Sequence, residues 1–229
     1  MHSYIKPVYD QYALQANAIN AAGAKAYMKN QFEFFGIKTP ERRRITNEYM
    51  KRMGLQQATD LKDIVTELWG LEERECQYFA IELLNYHQAL WKEGIIEQIE
   101  FCLVNKSWWD TVDALSGECT GPYFVLFPQA IKSTTFRWNT SDNIWLQRSS
   151  LLFQKNYRNN TDLELLANYI RQLAPSKEFF VKKAIGWVLR EYAKTDKEWV
   201  LEFVNKHTLS MLSRKEALKH IGPNNNYTA

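Results

Sequence analysis

Apolar residues recur three and four positions apart along nearly the whole of this 229-residue chain, and strict alternation is almost absent. That period gives each segment one apolar stripe and predicts an all-α protein. Helices are expected over approximately 4–18, 20–34, 40–53, 60–69, 72–90, 94–104, 107–119, 121–132, 142–158, 161–173, 176–194, 196–207 and 213–221. Thr161-Asp162-Leu163-Glu164, Thr195-Asp196-Lys197-Glu198 and Ser213-Arg214-Lys215-Glu216 have the form of capping boxes. In such a box the hydroxyl and a carboxylate three residues later satisfy free amides at a helix start. Thr39-Pro40-Glu41 reads as an N-cap followed by proline in the first turn. The connections are short, so consecutive helices should be antiparallel neighbours. Pairing at intervals of about 35–40 residues predicts a HEAT-like helical-repeat solenoid, although no clean sequence repeat is visible. Stacked helix pairs of this kind usually curve, so a concave face suited to an elongated partner is expected.

No shift in composition marks a domain boundary, and one domain over 1–229 is expected. The tail Gly222-Pro223-Asn224-Asn225-Asn226 should stop the last helix and fray. A hydrophobic fraction of 45% and a net charge of +3 describe an ordinary globular chain, neither disordered nor membrane-embedded. The N-terminus lacks the basic-then-apolar layout of a secretory signal, which makes the cytoplasm the expected compartment. Cys76, Cys102 and Cys119 are odd in number and widely spaced, so they are expected as small core residues rather than a disulfide framework. His2, His87, His207 and His220 form no HxxxH or HExxH pattern, and neither a metal nor a cofactor is implied.

The small net charge conceals a segregation. Between Asp60 and Glu100 ten acidic residues face only Lys62, Arg74 and Lys92, a balance of −7 that leaves +10 for the rest of the chain. Basic residues gather in Arg42-Arg43-Arg44 with Lys51-Arg52, between Lys132 and Arg158, and between Arg171 and Lys194. Such a chain can present a basic face to a phosphate backbone while staying nearly neutral overall. Solvated helix surfaces are the bland explanation for any single run.

The candidate chemistry lies in Lys106-Ser107-Trp108-Trp109-Asp110-Thr111-Val112-Asp113. Trp109 and Asp113 stand one helical turn apart on one face, whereas Trp108 is rotated by about 100°. Asp113 sits mid-helix between Val112 and Ala114, where a carboxylate has no capping role; a solvated or arginine-paired acid is the alternative. The theme of aromatic and charged residues recurs in Ser141-Asp142-Asn143-Ile144-Trp145-Leu146-Gln147-Arg148 and in Phe179-Phe180-Val181-Lys182-Lys183-Ala184-Ile185-Gly186-Trp187-Val188-Leu189-Arg190. Of the eight tryptophans, Trp69, Trp91, Trp138 and Trp199 are expected to serve packing.

These strings, together with Tyr27-Met28-Lys29-Asn30, Phe35-Gly36-Ile37-Lys38-Thr39-Pro40-Glu41-Arg42-Arg43 and Ser176-Lys177-Glu178-Phe179-Phe180 through Ala193-Lys194, resemble the AlkD-type alkylpurine DNA glycosylases, which are built from HEAT-like repeats. The resemblance covers nearly the whole chain. It implies excision of N3- and N7-alkylated purines from duplex DNA, with Trp109, Asp113 and Trp187 lining the site and Arg148 nearby on the DNA face. It also implies that Tyr27, Lys38, Thr39 and Arg43 approach the DNA backbone, and it places Phe179, Phe180, Lys182 and Arg190 on the DNA-binding side. A monomer acting on the stacked base without a flipping pocket is implied as well. The segment from Ser116 to Phe127 departs from the family's pattern, which puts local helix packing there in question.

The chemistry is coherent with that likeness. A purine alkylated at N3 or N7 is cationic and already a good leaving group, so the enzyme needs to stabilise oxocarbenium charge and place a water, which one carboxylate can do. Tryptophan faces could hold the cation, and Arg148 a phosphate. The alternative is a non-catalytic helical-repeat protein that binds DNA structure or another protein, for which an unpaired acid on a phosphate-binding face has no reason to exist. A carbohydrate hydrolase would want two carboxylates, and Asp110 is rotated away from Asp113.

Overall fold

The computed structural model describes residues 1–55 and 58–221. Among them the chain is all-α, with α1 (Lys6–Leu14), α2 (Ala18–Tyr27), α3 (Thr39–Met53), α4 (Ala58–Gly70), α5 (Arg74–Tyr86), α6 (Ile95–Val104), α7 (Trp109–Ala114), α8 (Gly121–Leu126), α9 (Ile131–Asn139), α10 (Ile144–Leu152), α11 (Leu163–Leu173), α12 (Phe179–Tyr192), α13 (Lys197–Lys206) and α14 (Met211–Ala217). An isolated parallel bridge between Glu33 and Glu73 is the nearest approach to a strand among the described residues. No helix among them is long and apolar enough to cross a membrane. The expected frayed tail lies outside the described residues.

The chain forms two compact units, Met1–Cys102 and Leu103–Ala229. In the first, Leu61, Ile64, Val65 and Leu68 recur at helical spacing on α4 and are fully buried, as are Phe79, Ala80, Leu83 and Leu84 of α5 packed beside it. Each such large side chain contributes about 1.5–3 kcal/mol. The loop before α3 is fixed by Glu75 of α5, which is buried and accepts hydrogen bonds from the main-chain amides of Phe35 (3.1 Å), Gly36 (2.8 Å) and Ile37 (3.3 Å). Gly36 has φ +83°, and a Cβ there would lie 2.3 Å from the Asn17 carbonyl oxygen. Gly36→Ala is therefore expected to cost at least about 1–3 kcal/mol, read as a lower denaturant midpoint at unchanged slope.

In the second unit α10 is the hub, packed against α7, α9, α11 and α12. It is buried on nearly every side, so its polar residues need internal partners. Ser149 Oγ lies 2.9 Å from Ser116 Oγ, and Ser150 Oγ accepts from Asn139 Nδ2 at 2.9 Å. On α11, Leu166, Tyr169, Ile170 and Leu173 form one buried stripe with α12 residues Val181, Ala184, Ile185, Val188 and Leu189 in the same cluster. Side-chain links within the two units recur at sequence separations of 32 to 40, as in Thr66–Gln98, Thr46–Glu82, Gly36–Glu75, Asp113–Arg148 and Thr135–Tyr169. That spacing is the helical repeat that the residue pattern alone does not display.

Several expectations are corrected in detail. None of the three capping boxes forms: Asp162, Asp196 and Ser210 are the caps, accepting from the amides of Leu165, Trp199 and Ser213 at 2.9, 2.8 and 3.1 Å. An ionised carboxylate one residue further on displaces the threonine hydroxyl in the first two, being the stronger acceptor for a helix amide. Thr39 is the first helical residue of α3 rather than its cap, which is Lys38. The helix expected over 20–34 ends at Tyr27 because Lys29 and Asn30 both adopt φ +58°. Helix α9 was not expected, since its buried positions are Thr135, Trp138 and Asn139 and two of the three are polar. Finally, the helix expected over 107–119 leaves α geometry at Leu115–Thr120, a π-helical turn in which the Gly121 amide donates to the Ser116 carbonyl.

The tryptophans assigned to packing behave so. Trp69, Trp91 and Trp138 are buried, and Trp199 stacks on Phe203 with ring centroids 5.1 Å apart. The three cysteines are buried thiols, as expected of small core residues. The basic run is largely neutralised at home: Arg42 and Arg43 reach Glu82, and Arg44 spans Glu41 and Glu48.

Candidate functional site

The second unit brings α7, α10 and α12 together around Asp113. Arg148 of α10 grips the carboxylate with two parallel bonds, Nε to Oδ1 at 2.7 Å and Nη2 to Oδ2 at 2.9 Å. Its remaining nitrogen, Nη1, donates to the Phe180 carbonyl oxygen at 2.6 Å. The fork geometry of a guanidinium makes this a rigid hold on the plane of the carboxylate. The side chains of Arg148 and Asp113 are 5% and 14% exposed, so water screens the pair weakly. Asp113 is thus not the unpaired acid that a scaffold would fail to explain. Arg148 spends three of its five N–H donors on protein acceptors and its side chain is 5% exposed, which leaves little of it for a phosphate.

Trp187 of α12 stands over the cationic side of this pair. Its ring centroid lies 5.8 Å from the Arg148 guanidinium carbon and 4.5 Å from Lys155 Nζ, and the same Nζ donates to the Asp113 carbonyl oxygen at 3.2 Å. Burial, opposed by Asp113 and reinforced by Arg148, lowers the Lys155 pKa from the usual lysine value. Trp109 is half-buried at the first position of α7, one turn before Asp113 as expected. Trp108, set aside by its rotation, instead packs into an aromatic cluster with Trp145 and Phe180 at 5.8 and 5.1 Å.

The flanking residues divide. Phe179 is 56% exposed and Lys182 half-buried on the first turns of α12, while Phe180 belongs to the aromatic cluster. Arg190, expected to face DNA, is paired together with Lys183 to Glu216 of α14. In the first unit, Tyr27 (68% exposed), Lys38 and Thr39 line a groove of 540 Å³ with Arg42, Glu75 and Tyr78. Arg43 is exposed apart from a 3.3 Å contact of its Nε with Glu82.

Residues 10–221 match the DNA alkylation repair enzyme family. The chain belongs to this family. Among solved structures it is similar to a predicted DNA alkylation repair enzyme from Enterococcus faecalis, with 32% identity over 92% of this chain and 98% of that one, at a TM-score of 0.84. The fold is shared with smu.31 from Streptococcus mutans UA159, at 14% identity, a TM-score of 0.61 and coverage of 80% and 92%. No curated protein matches. Membership in a DNA alkylation repair family makes this an enzyme of DNA repair with DNA as its substrate.

Sequence reasoning missed two parts of the site in this DNA repair enzyme: Lys155, and the Phe180 carbonyl that completes the Arg148 grip. Lys155 follows Arg148 by seven residues, two helical turns, and that spacing on a basic stretch was the available signal. A main-chain acceptor leaves no trace in residue types.

Proposed function

We propose that the protein is a monofunctional DNA glycosylase that hydrolyses the N-glycosidic bond of cationic N3- and N7-alkylated purines in duplex DNA. The observation that carries this is the Asp113 carboxylate, fixed in its plane by Arg148 beside the Trp187 ring. Arg148 occupies one lone-pair direction on each carboxylate oxygen, and a carboxylate offers about four such directions in all. The remainder can take a hydrogen bond from water.

In the reaction the bond between C1′ and the alkylated purine breaks with its electron pair passing to the base, which leaves neutral. Positive charge develops on the sugar, where the Asp113 carboxylate stabilises it through space. Water adds its oxygen to C1′, and its proton passes to Asp113 and on to solvent. Trp109 and Trp187 offer electron-rich faces to the cationic base or sugar, worth about 0.5–2 kcal/mol each when desolvated. Phe179 and Lys182, and in the first unit Tyr27, Lys38, Thr39 and Arg43, are the proposed contacts to the DNA backbone. Arg148 acts on DNA through Asp113. No base-flipping pocket is invoked: the groups named act from a surface, and the base can stay stacked.

The test is release of free base from duplex DNA carrying N7-methylguanine, beside an unmodified duplex. Time-dependent release from the alkylated duplex alone is expected. Tight duplex binding with no release from either N7-methylguanine or N3-methyladenine DNA would favour a non-catalytic helical-repeat DNA-binding protein instead.

A further inference from the structure

We infer that Lys155 is a positioning residue of this site, its ammonium tying the Trp187 ring to the main chain of Asp113 so that aromatic face and carboxylate share one geometry. This rests on the Asp113 reading above. Nζ makes both contacts at once, 4.5 Å from the ring centroid and 3.2 Å from the Asp113 carbonyl oxygen. A charged donor is suited to both, since the ring attracts the cation and the carbonyl accepts its proton.

The surroundings are built for it. Gly117, in the π-helical turn, lies so close that a Cβ would fall 2.8 Å from Lys155 Cε and 3.1 Å from Nζ. The segment carrying Lys155 is anchored to the end of the same turn, where the Tyr157 hydroxyl donates to the Gly121 carbonyl at 2.7 Å. The charged groups around the ammonium come from every neighbouring element: Asp113 from α7, Glu118 from the π turn, Arg148 from α10 and Glu191 from α12. Burial sets the direction of its titration. The ammonium is lost at a lower pH than an ordinary lysine loses its proton, and Trp187 is released from its cation as pH rises through that point.

The experiment follows the Trp187 indole N–H by NMR in protein labelled with ¹⁵N-tryptophan, assigned with Trp187→Phe, from neutral pH to about pH 10. In the native protein this resonance should move in one titration below the ordinary lysine range. In Lys155→Met it should start displaced and stay unmoved by pH. Gly117→Ala, which pushes the ammonium aside while keeping its charge, should displace the resonance as well, and it stands in if Lys155→Met does not fold. For base release from N7-methylguanine duplex, Lys155→Met should lower kcat by about 10–100-fold with KM little changed. The native alkaline limb of kcat should vanish in Lys155→Arg, which restores part of the rate. A Trp187 resonance that ignores pH in the native protein, or titrates alike in Lys155→Met, would overturn the proposal. If the native protein released no base from any alkylated duplex, the glycosylase reading would fall, while the resonance would still report separately on the tie between Lys155 and Trp187.

Discussion

Asp113→Asn is expected to release N7-methylguanine about 10²–10⁴-fold more slowly than the native protein while holding the alkylated duplex as tightly or more tightly. In the proposed reaction the amide lacks the negative charge that stabilises the sugar cation and orders water. It also removes a charge that would repel the phosphates of a bound duplex, which is why affinity should hold or rise. One complication is built into the site. Asparagine presents an NH₂ group where Arg148 expects a second acceptor, so one of the two parallel bonds becomes a meeting of donors. Thermal unfolding of the variant therefore accompanies the rate measurement, and the comparison is made where both proteins are fully folded. Turnover equal to native would remove Asp113 from the chemistry.

Arg148→Ala should be the more destructive substitution for the fold. Removing one partner of a buried ion pair leaves the other charged and uncompensated, at a cost of about 3–5 kcal/mol. Here the loss takes with it the bond to the Phe180 carbonyl that joins α10 to the start of α12. Base release should fall at least as far as in Asp113→Asn, because the carboxyl group loses the partner that fixes its plane. The salt dependence of duplex binding decides between two roles. An arginine that holds a phosphate would take about one unit from the slope of log K against log salt when removed. Arg148 is expected to leave the slope unchanged, since its nitrogens are held by Asp113 and Phe180. A slope flattened by about one unit would return Arg148 to the phosphate.

The helical class and the approximate place of most elements were legible because apolar stripes such as Leu61, Ile64, Val65 and Leu68 need only their own segment to be recognised. What escaped was set by partners distant in sequence. Helix α9 buries Thr135 with its hydroxyl bonded both to the Ile131 carbonyl at 2.6 Å and to the Tyr169 hydroxyl at 2.7 Å, and no local pattern announces the second partner, 34 positions away. The caps shifted by a residue because an acid and a hydroxyl stood side by side in Thr161-Asp162 and Thr195-Asp196. At the site, the i to i+4 relation of Trp109 and Asp113 could be read directly from helix geometry. The partner of Asp113 could not, because Arg148 reaches it across one repeat, and a sequence without a visible repeat gives no register by which to pair them.

The π-helical turn at Leu115–Thr120 also shapes what this protein can tolerate. One extra residue in a turn is worth about 100° of rotation relative to a continuous α-helix. Val112 before it and Phe124 after it are both buried, although an unbroken helix would turn one about 120° from the other. The turn is a phase reset: what reads as a single helix is two, sharing a path but choosing their buried sides separately. Asp113 is thereby presented at an angle that a continuous helix from α7 into α8 would not give, and a change that removed the extra residue would turn α8 against the segment that carries Lys155.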